Sequence, residues 1–128
     1  MNFNSILIGS ADPARLTEFY TRVFGSPAFE MGGYTGWQIG SGFITVGPHD
    51  AVSGRNDEPG RLIWNIETSD VQGEFERMKA AGATVVREPY DPGEGSEQSG
   101  QGLIATFADV DGNYFQLMSP MSPDPAAA

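Results

Sequence analysis

The segment at residues 107–120, FADVDGNYFQLMSP, decides the fold of this chain. Its D-G-N sequence at 111–113 tolerates positive φ and therefore predicts a tight turn between two strands. The second strand, predicted over residues 113–118, is rich in aromatic residues, which suit a half-buried sheet. Strand alternation places three of its side chains on one face: Tyr114, Gln116 and Met118. Because a polar residue, Gln116, lies in mid-strand on that face, we expect the face to line a ligand cavity.

The chain also contains a tandem repeat of strand, helix and strands. Asp12-Pro13 is typical of a helix N-cap followed by the first helical position. Ser69 and Gln72 have the spacing of a capping box for a second helix. Gly25 and Gly82, which lie 57 residues apart, are expected to end the two helices. Further strands are predicted over residues 3–10, 28–31, 35–39, 43–46, 62–67, 83–88 and 103–108, with 3–10 and 62–67 apolar enough to be buried on both faces.

The hairpin matches the pattern F-x-D-P-D-G-N-x-x-E-L at most of its fixed positions. Val110 replaces the proline and Gln116 replaces the glutamate, whereas the matching residues include Asp109, Asp111, Gly112, Asn113 and Leu117. The predicted helices, within SADPARLTEFYTRVFG and SDVQGEFERMKAAG, add a second similarity. Residues 6–120 thereby resemble the glyoxalase / bleomycin-resistance / extradiol-dioxygenase superfamily, also called the vicinal oxygen chelate superfamily.

This resemblance implies an α+β fold in which tandem β-α-β-β-β modules form a curved mixed sheet around a cavity. We expect one domain over residues 1–121, with module one at about 3–48 and module two at about 61–120. Residues 49–60 would link the modules, and residues 122–128 would form a flexible tail.

The resemblance also implies where metal ligands would lie. Metalloenzymes of the superfamily place one ligand near the first strand and one on the last strand of each module. In this chain those positions are Ser5, Thr45, Ile63 and Gln116. Divalent metals in such sites prefer imidazole or carboxylate ligands, which none of the four supplies. We therefore expect no metal and no cofactor.

The same positions would instead line a cavity for a small molecule. Strand periodicity adds Leu7, Asn65, Glu67 and Tyr114 to its walls. Trp37 and Tyr34, beside a Gly-Gly turn, are placed to stack on a ligand. The alternative is a filled core in which Thr45, Asn65 and Gln116 satisfy one another. His49, the single histidine, is a weaker candidate for a general base, because no nucleophile is placed beside it.

Composition limits the possible partners. The 128 residues carry 17 acidic and 7 basic side chains, for a formal charge of −10. A nucleic-acid binder or a protein of anionic membrane surfaces needs clustered Lys and Arg, so both classes are disfavoured. With no cysteine there is no disulfide framework. The first residues carry no secretory signal, so we expect a cytoplasmic protein.

The leading functional hypothesis is a metal-free binding protein that sequesters an aromatic or cationic compound, as the bleomycin-resistance branch does. The alternative is a lyase, isomerase or dioxygenase with a degenerate metal site. We expect a homodimer, because exposed sheet edges need a partner. The loop at 90–102 is expected to close over a site that contains Gln116 and Thr45, and its carboxylates would favour a cationic guest: Asp91, Glu94 and Glu97.

Overall fold

The computed structural model describes residues 1–120 of the protein, which form two α-helices, one short 3-10 helix (Pro59–Arg61) and eight strands. In chain order the elements are β1 (Ile6–Ser10), α1 (Pro13–Phe24), β2 (Phe29–Met31), β3 (Tyr34–Ile39), β4 (Gly42–Pro48), β5 (Trp64–Glu67), α2 (Val71–Ala80), β6 (Thr84–Tyr90), β7 (Ile104–Ala108) and β8 (Tyr114–Met118). The predicted flexible tail lies outside the described residues. Within residues 1–120, no helix is long and apolar enough to cross a membrane.

The strands form two four-stranded sheets with the same topology. The first sheet has the order β1-β4-β3-β2 and the second has the order β5-β8-β7-β6. In each sheet the first strand pairs parallel to the last, and the other pairings are antiparallel. The tandem β-α-β-β-β repeat and the α+β class are thus confirmed. Within one chain the modules contribute two separate sheets, because β1 and β5 do not pair with each other.

Local sequence explains both helix starts. The Asp12 carboxylate accepts a hydrogen bond from the backbone N–H of Arg15, and Pro13 occupies the first turn of α1. The second helix begins differently from the prediction: Asp70, not Ser69, is the N-cap, and its carboxylate accepts from the N–H of Gly73. Aspartate fits this place because its short side chain reaches the free N–H groups of the first turn.

One core is shared by both modules. Apolar side chains from the helix-facing side of each sheet join α1 and α2 in a single cluster. Phe19 of α1 packs edge to face on Phe115 of β8, with ring centroids 6.3 Å apart. The rings of Tyr20 of α1 and Trp64 of β5 also pack together, with centroids 6.2 Å apart and planes tilted by 56°. The sheets therefore turn their helix-bearing faces towards one another, and their other two faces point outward.

The outward faces correct one prediction. Residues 3–10 and 62–67 were expected to form strands buried on both faces, but β1 and β5 are half-buried. Leu7 is 51% exposed beside the buried Ile8, and Asn65 and Glu67 are exposed beside half-buried Trp64 and Ile66. Each first strand lies at a sheet edge and contacts the core with one face only, so its apolar composition overstates its burial.

Buried polar contacts join the modules at the β7–β8 turn. The Ser10 hydroxyl at the end of β1 donates to Oδ2 of Asp111 at 2.5 Å. The Tyr20 hydroxyl donates to Oδ2 of Asp109 at 2.6 Å. Asp109 also accepts from the backbone N–H groups of Asp111 and Asn113 and from the amide of Asn113. These contacts fix the predicted turn, in which Gly112 has a φ of 86°.

Candidate functional site

The outer face of the first sheet presents aromatic rings to solvent. One row of opposed residues crosses its four strands. Thr45 of β4 lies between Leu7 of β1 and Gly36 of β3, and Gly36 lies opposite Phe29 of β2. Opposed residues share a face, and alternation adds Tyr34 and Phe43 to it. We call this surface the aromatic face, defined by Leu7, Phe29, Tyr34, Phe43 and Thr45.

Two glycines allow these rings to lie low on the sheet. The rings of Phe29 and Phe43 are stacked, with centroids 5.6 Å apart and planes 3° apart. Both cover Gly36, where an added Cβ would overlap the Phe29 ring and lie 2.7 Å from Cε1 of Phe43. Tyr34 covers Gly47 in the same way. The result is a flat apolar surface, which suits contact with a planar ring.

The outer face of the second sheet is polar. Gln116 of β8 lies between Asn65 of β5 and Thr106 of β7, and Thr106 lies opposite Arg87 of β6. We call these four residues the polar row. The amide nitrogen of Gln116 donates to the Thr106 hydroxyl oxygen at 3.0 Å. Tyr114 lies on the same face two residues before Gln116, and Glu67 two residues after Asn65.

The structure divides the predicted site residues between these two surfaces. Ser5 precedes β1 at the edge of the first sheet, and Ile63 precedes β5 at the edge of the second. Ile63 lines a groove of about 560 Å³ between β5 and the β3–β4 turn. Three predicted site residues lie on the aromatic face: Leu7, Thr45 and Tyr34. Four lie on the outer face of the second sheet: Asn65, Glu67, Tyr114 and Gln116. The groove that Ile63 lines is also lined by Asn65 and Glu67 and by Phe43 of the aromatic face, so within residues 1–120 the two surfaces meet at this groove.

Trp37 does not belong to the site. Its side chain is 2% exposed and faces the core, where its ring lies 5.9 Å from that of Tyr20. The indole N–H donates to the carbonyl oxygen of Gly25 at 3.0 Å, which satisfies its polar atom. Tyr34 and Trp37 are three residues apart on one strand, so they face opposite sides.

The four positions implied by the resemblance do not fit a metal ion. Within residues 1–120 no cluster of three or more His, Cys, Asp or Glu side chains is arranged to hold one. Ile63 offers no donor atom, Ser5 and Thr45 offer only hydroxyls, and Gln116 offers a single neutral amide oxygen. Divalent metals in proteins select imidazole, thiolate or carboxylate ligands. We therefore derive no chemistry through a metal at these positions.

The loop after β6 is organised around one carboxylate. Asp91 accepts hydrogen bonds from the N–H groups of Gly93 and Gly100 and from the Ser99 hydroxyl. The bond from Gly100, then that from Gly93, lowers the pKa of Asp91. The loop packs against Ile104 and Met118, beside Gln116 on the second sheet and away from Thr45 on the first. The Asp91 carboxylate is thus directed into its own loop rather than towards a guest.

His49 lies at the border of the aromatic face. Its Cβ would be 3.0 Å from a Cβ built on Gly9 of β1, so the glycine lets the linker approach the strand. Nδ1 accepts from the N–H of Ala51, which leaves the proton of the neutral ring on Nε2. Oδ1 of Asp50 lies 3.4 Å from the same Nδ1, and no hydroxyl side chain is bonded to the ring within residues 1–120. The ring is a potential hydrogen-bond donor to a ligand rather than part of a catalytic pair.

Sequence reasoning missed the residues that define both surfaces most clearly. Phe29 and Phe43 were not selected, although Phe29 lies three residues before Gly32 and Phe43 directly follows Gly42, on strands whose alternation is regular. Arg87 was not selected because two register shifts on β6 alter which residues share its face. Period-two counting fails at such irregularities.

Comparison with known proteins identifies relatives of the whole chain. A family described as "Glyoxalase-like domain" matches residues 5–118. The chain is similar to lactoylglutathione lyase GLX1 from Arabidopsis thaliana, with 28% identity over 127 residues. That alignment covers 91% of this chain but 43% of the lyase, so the chain spans less than half the length of this curated relative.

Solved structures share the fold. A glyoxalase-related enzyme from Fulvimarina pelagi superposes with a TM-score of 0.72 at 22% identity, covering 100% of this chain and 96% of that one. The fosfomycin resistance protein FosX from Listeria monocytogenes superposes with a TM-score of 0.68 at 19% identity, covering 94% of each chain. At these identities the likeness extends to the fold.

Proposed function

We propose that this chain, which belongs to the glyoxalase-like domain family, binds a small aromatic molecule without a metal and sequesters it rather than transforming it. The observation that carries the proposal is the aromatic face. Its rings are part of a flat surface that the core does not need, since Phe29 and Tyr34 are each 37% exposed. A planar ring placed there would gain contact area and favourable ring-to-ring geometry.

A second copy of the chain would complete the site. The aromatic face and the polar row lie on different sheets, and within one chain they share only the groove lined by Phe43 and Asn65, so a second chain would be needed to cover a ligand that contacts the rest of both surfaces. Leu7, Phe29 and Met31 expose apolar surface on the first sheet, and β1 and β5 are sheet edges. Exposed apolar faces and open edges are features that association removes. We therefore propose a homodimer in which the aromatic face of one protomer opposes the polar row of its partner.

A lyase is the second candidate, favoured by the similarity to lactoylglutathione lyase. Because the positions of Ser5, Thr45, Ile63 and Gln116 do not supply metal ligands, a lyase reaction would have to use other groups of the protein. The polar row offers hydrogen bonds, and Tyr114 and His49 offer protons, but within residues 1–120 neither Tyr114 nor His49 is bonded to a side chain of the polar row, whose one internal bond is that from Gln116 to Thr106. The geometry therefore favours binding over catalysis.

The test is a thermal-shift screen of planar aromatic compounds, followed by calorimetry on each compound that binds. Phe43→Ala removes one ring from the aromatic face, whereas Leu62→Ala removes an exposed apolar side chain that precedes β5 and serves as the control. We expect Phe43→Ala to weaken binding by about tenfold, as loss of one aromatic contact implies. Equal binding by both variants would place the site elsewhere, and a library without any binder would contradict the proposed function.

A further inference from the structure

The polar row is a continuous line of hydrogen-bonding side chains across all four strands of the second sheet. Arg87, Thr106, Gln116 and Asn65 lie opposite one another in succession from β6 to β5. Thr106 is 6% exposed, so its hydroxyl lies at the floor of this face. Because the hydroxyl oxygen accepts from Gln116, its own hydrogen remains available to donate outward.

Arg87 reaches this row through an irregularity of β6. The register shifts between Val85 and Arg87 and again between Arg87 and Tyr90. In a regular strand, residues three apart face opposite sides, but here Tyr90 lies opposite Ile104 and Arg87 opposite Thr106, on one face. The Arg87 guanidinium carbon lies 3.5 Å from the centroid of the Tyr90 ring. Such bulges re-aim side chains and are frequent next to binding sites.

The charge on Arg87 is not neutralised within the part of the chain that the structure describes. Arg22, Arg61 and Arg77 each pair with a glutamate one helical turn away. Arg87 has no carboxylate within ion-pairing distance in residues 1–120, although acidic side chains outnumber basic ones 17 to 7. Stacking on Tyr90 engages the plane of the guanidinium and leaves the N–H groups at its edge free for an acceptor.

We propose that Arg87 and Thr106 bind an anionic group, a carboxylate or a phosphonate, on the small molecule that this protein holds. This inference rests on the proposed function and specifies the ligand class. Arginine binds planar oxyanions through two parallel N–H donors, and the Thr106 hydroxyl adds a third. Glu67 on β5 is about 14 Å away across three strand spacings, so its charge opposes the anion weakly. The ligand is then an aromatic acid, not the aromatic cation that the overall charge suggests.

Four probes with the same ring test the proposal: benzoate, phenylphosphonate, benzyl alcohol and benzylamine. Their dissociation constants are measured by NMR titration at fixed, low ionic strength. We expect at least one anion to bind about tenfold more tightly than benzyl alcohol, since hydrogen bonds to charged groups have this strength. The two anions distinguish a carboxylate site from a phosphonate site.

Three variants assign the effect to Arg87. Arg87→Met removes the charge but keeps a long side chain, and it should weaken binding of the preferred anion about tenfold. Arg87→Lys should retain part of the affinity, because it keeps the charge without the two parallel donors. Arg15→Met, which removes an exposed charge from α1, should change nothing. Melting curves confirm that each variant is folded.

Three results would overturn this proposal while leaving the proposed function intact. In the first, the neutral or cationic probe binds as tightly as the anions. In the second, the anion affinity falls equally in Arg87→Met and Arg15→Met. If all four probes fail to bind while the wider screen yields aromatic ligands without an acidic group, the anion site is likewise excluded. A failure of the proposed function itself differs from these outcomes, because no compound of the wider screen would then bind.

Discussion

The hydroxyl of Tyr20 donates a hydrogen bond of 2.6 Å to Oδ2 of Asp109, joining the helix of one module to the closing turn of the other. Both groups are buried, and burial raises the pKa of each; the Asp109 carboxylate is a further cause of the shift on Tyr20. A buried carboxylate is tolerated only where donors replace its water, and Asp109 has four of them. Loss of the Tyr20 hydroxyl oxygen alone should therefore weaken the packing of the two modules.

Removing that hydroxyl should destabilise the fold. Tyr20→Phe deletes one donor to Asp109 and should lower the free energy of unfolding by about 2 kcal/mol, the usual range for a buried bond to a charged group. Tyr34→Phe is the matched control, because its hydroxyl makes only a 3.5 Å bond to the Pro48 carbonyl at an exposed position. Urea unfolding measures both variants. Equal stabilities would mean that the Tyr20–Asp109 bond contributes nothing.

The penalty of Tyr20→Phe should depend on pH. Burial raises the pKa of Asp109 in the folded state, so the folded protein takes up this proton at higher pH than the unfolded chain. The stabilising contribution of protonated Asp109 is therefore lost as pH rises through that raised pKa. The Tyr20 bond lowers the pKa of Asp109 and favours its ionised form. The difference between wild type and Tyr20→Phe should thus be largest at neutral pH and shrink as pH falls towards 4, near the ordinary pKa of a carboxyl group. Unfolding curves at several pH values check this, and a difference that grows in acid would contradict it.

Gly36 should not tolerate a side chain. In Gly36→Ala the new methyl group would overlap Phe29 and press on Phe43, so the rings must leave their places on the aromatic face. We expect a loss of about 1–3 kcal/mol in stability, typical of overpacking. We also expect weaker binding of any aromatic ligand. Gly60→Ala, where nothing lies within 4 Å of the new methyl, should stay within about 0.5 kcal/mol of wild type. Similar losses of stability in Gly36→Ala and Gly60→Ala would contradict this prediction, because they would show that the Phe29 and Phe43 rings move aside without cost.

The protein should be a dimer at micromolar concentration. The reason is the unpaired apolar surface around Leu7 and Phe29 together with the open edges of β1 and β5. Light scattering with size exclusion measures the mass, and Leu7→Glu should shift it towards the monomer by placing a charge on the aromatic face. A monomeric mass for wild type would contradict the composite site.

Purified protein should contain no stoichiometric transition metal at the four positions implied by the resemblance. Ser5, Thr45, Ile63 and Gln116 together supply no imidazole or carboxylate. Elemental analysis after mild chelation tests this expectation. Near one equivalent of metal that Gln116→Ala removes would contradict it, whereas metal that the substitution leaves in place would be bound elsewhere.

Much of this architecture can be predicted from local sequence. The Gly112 turn, the Asp12 cap of α1 and the repeat of the modules each depend on residues that are close together in the chain. Strand faces are predictable where alternation is regular. Counting along β3 would have placed Tyr34 and Trp37 on opposite faces of the sheet. The position of Arg87 depends on register shifts on β6, which arise from pairing with β7 and leave no period in the sequence. The division of the site between two faces depends on how the two modules pack against each other. The sequence pattern within one module does not predict that packing.

The shared core has a consequence for the autonomy of the repeats. Each β-α-β-β-β unit resembles a complete folding unit in its strand order, yet Phe19 and Tyr20 of the first fill the inner face of the second. A fragment that contained only residues 61–120 would leave Phe115 uncovered and Asp109 without its phenol donor. The two repeats are therefore mutually obligate halves, and any rearrangement that moved one of them to another chain would have to rebuild the same Tyr20–Asp109 contact between molecules.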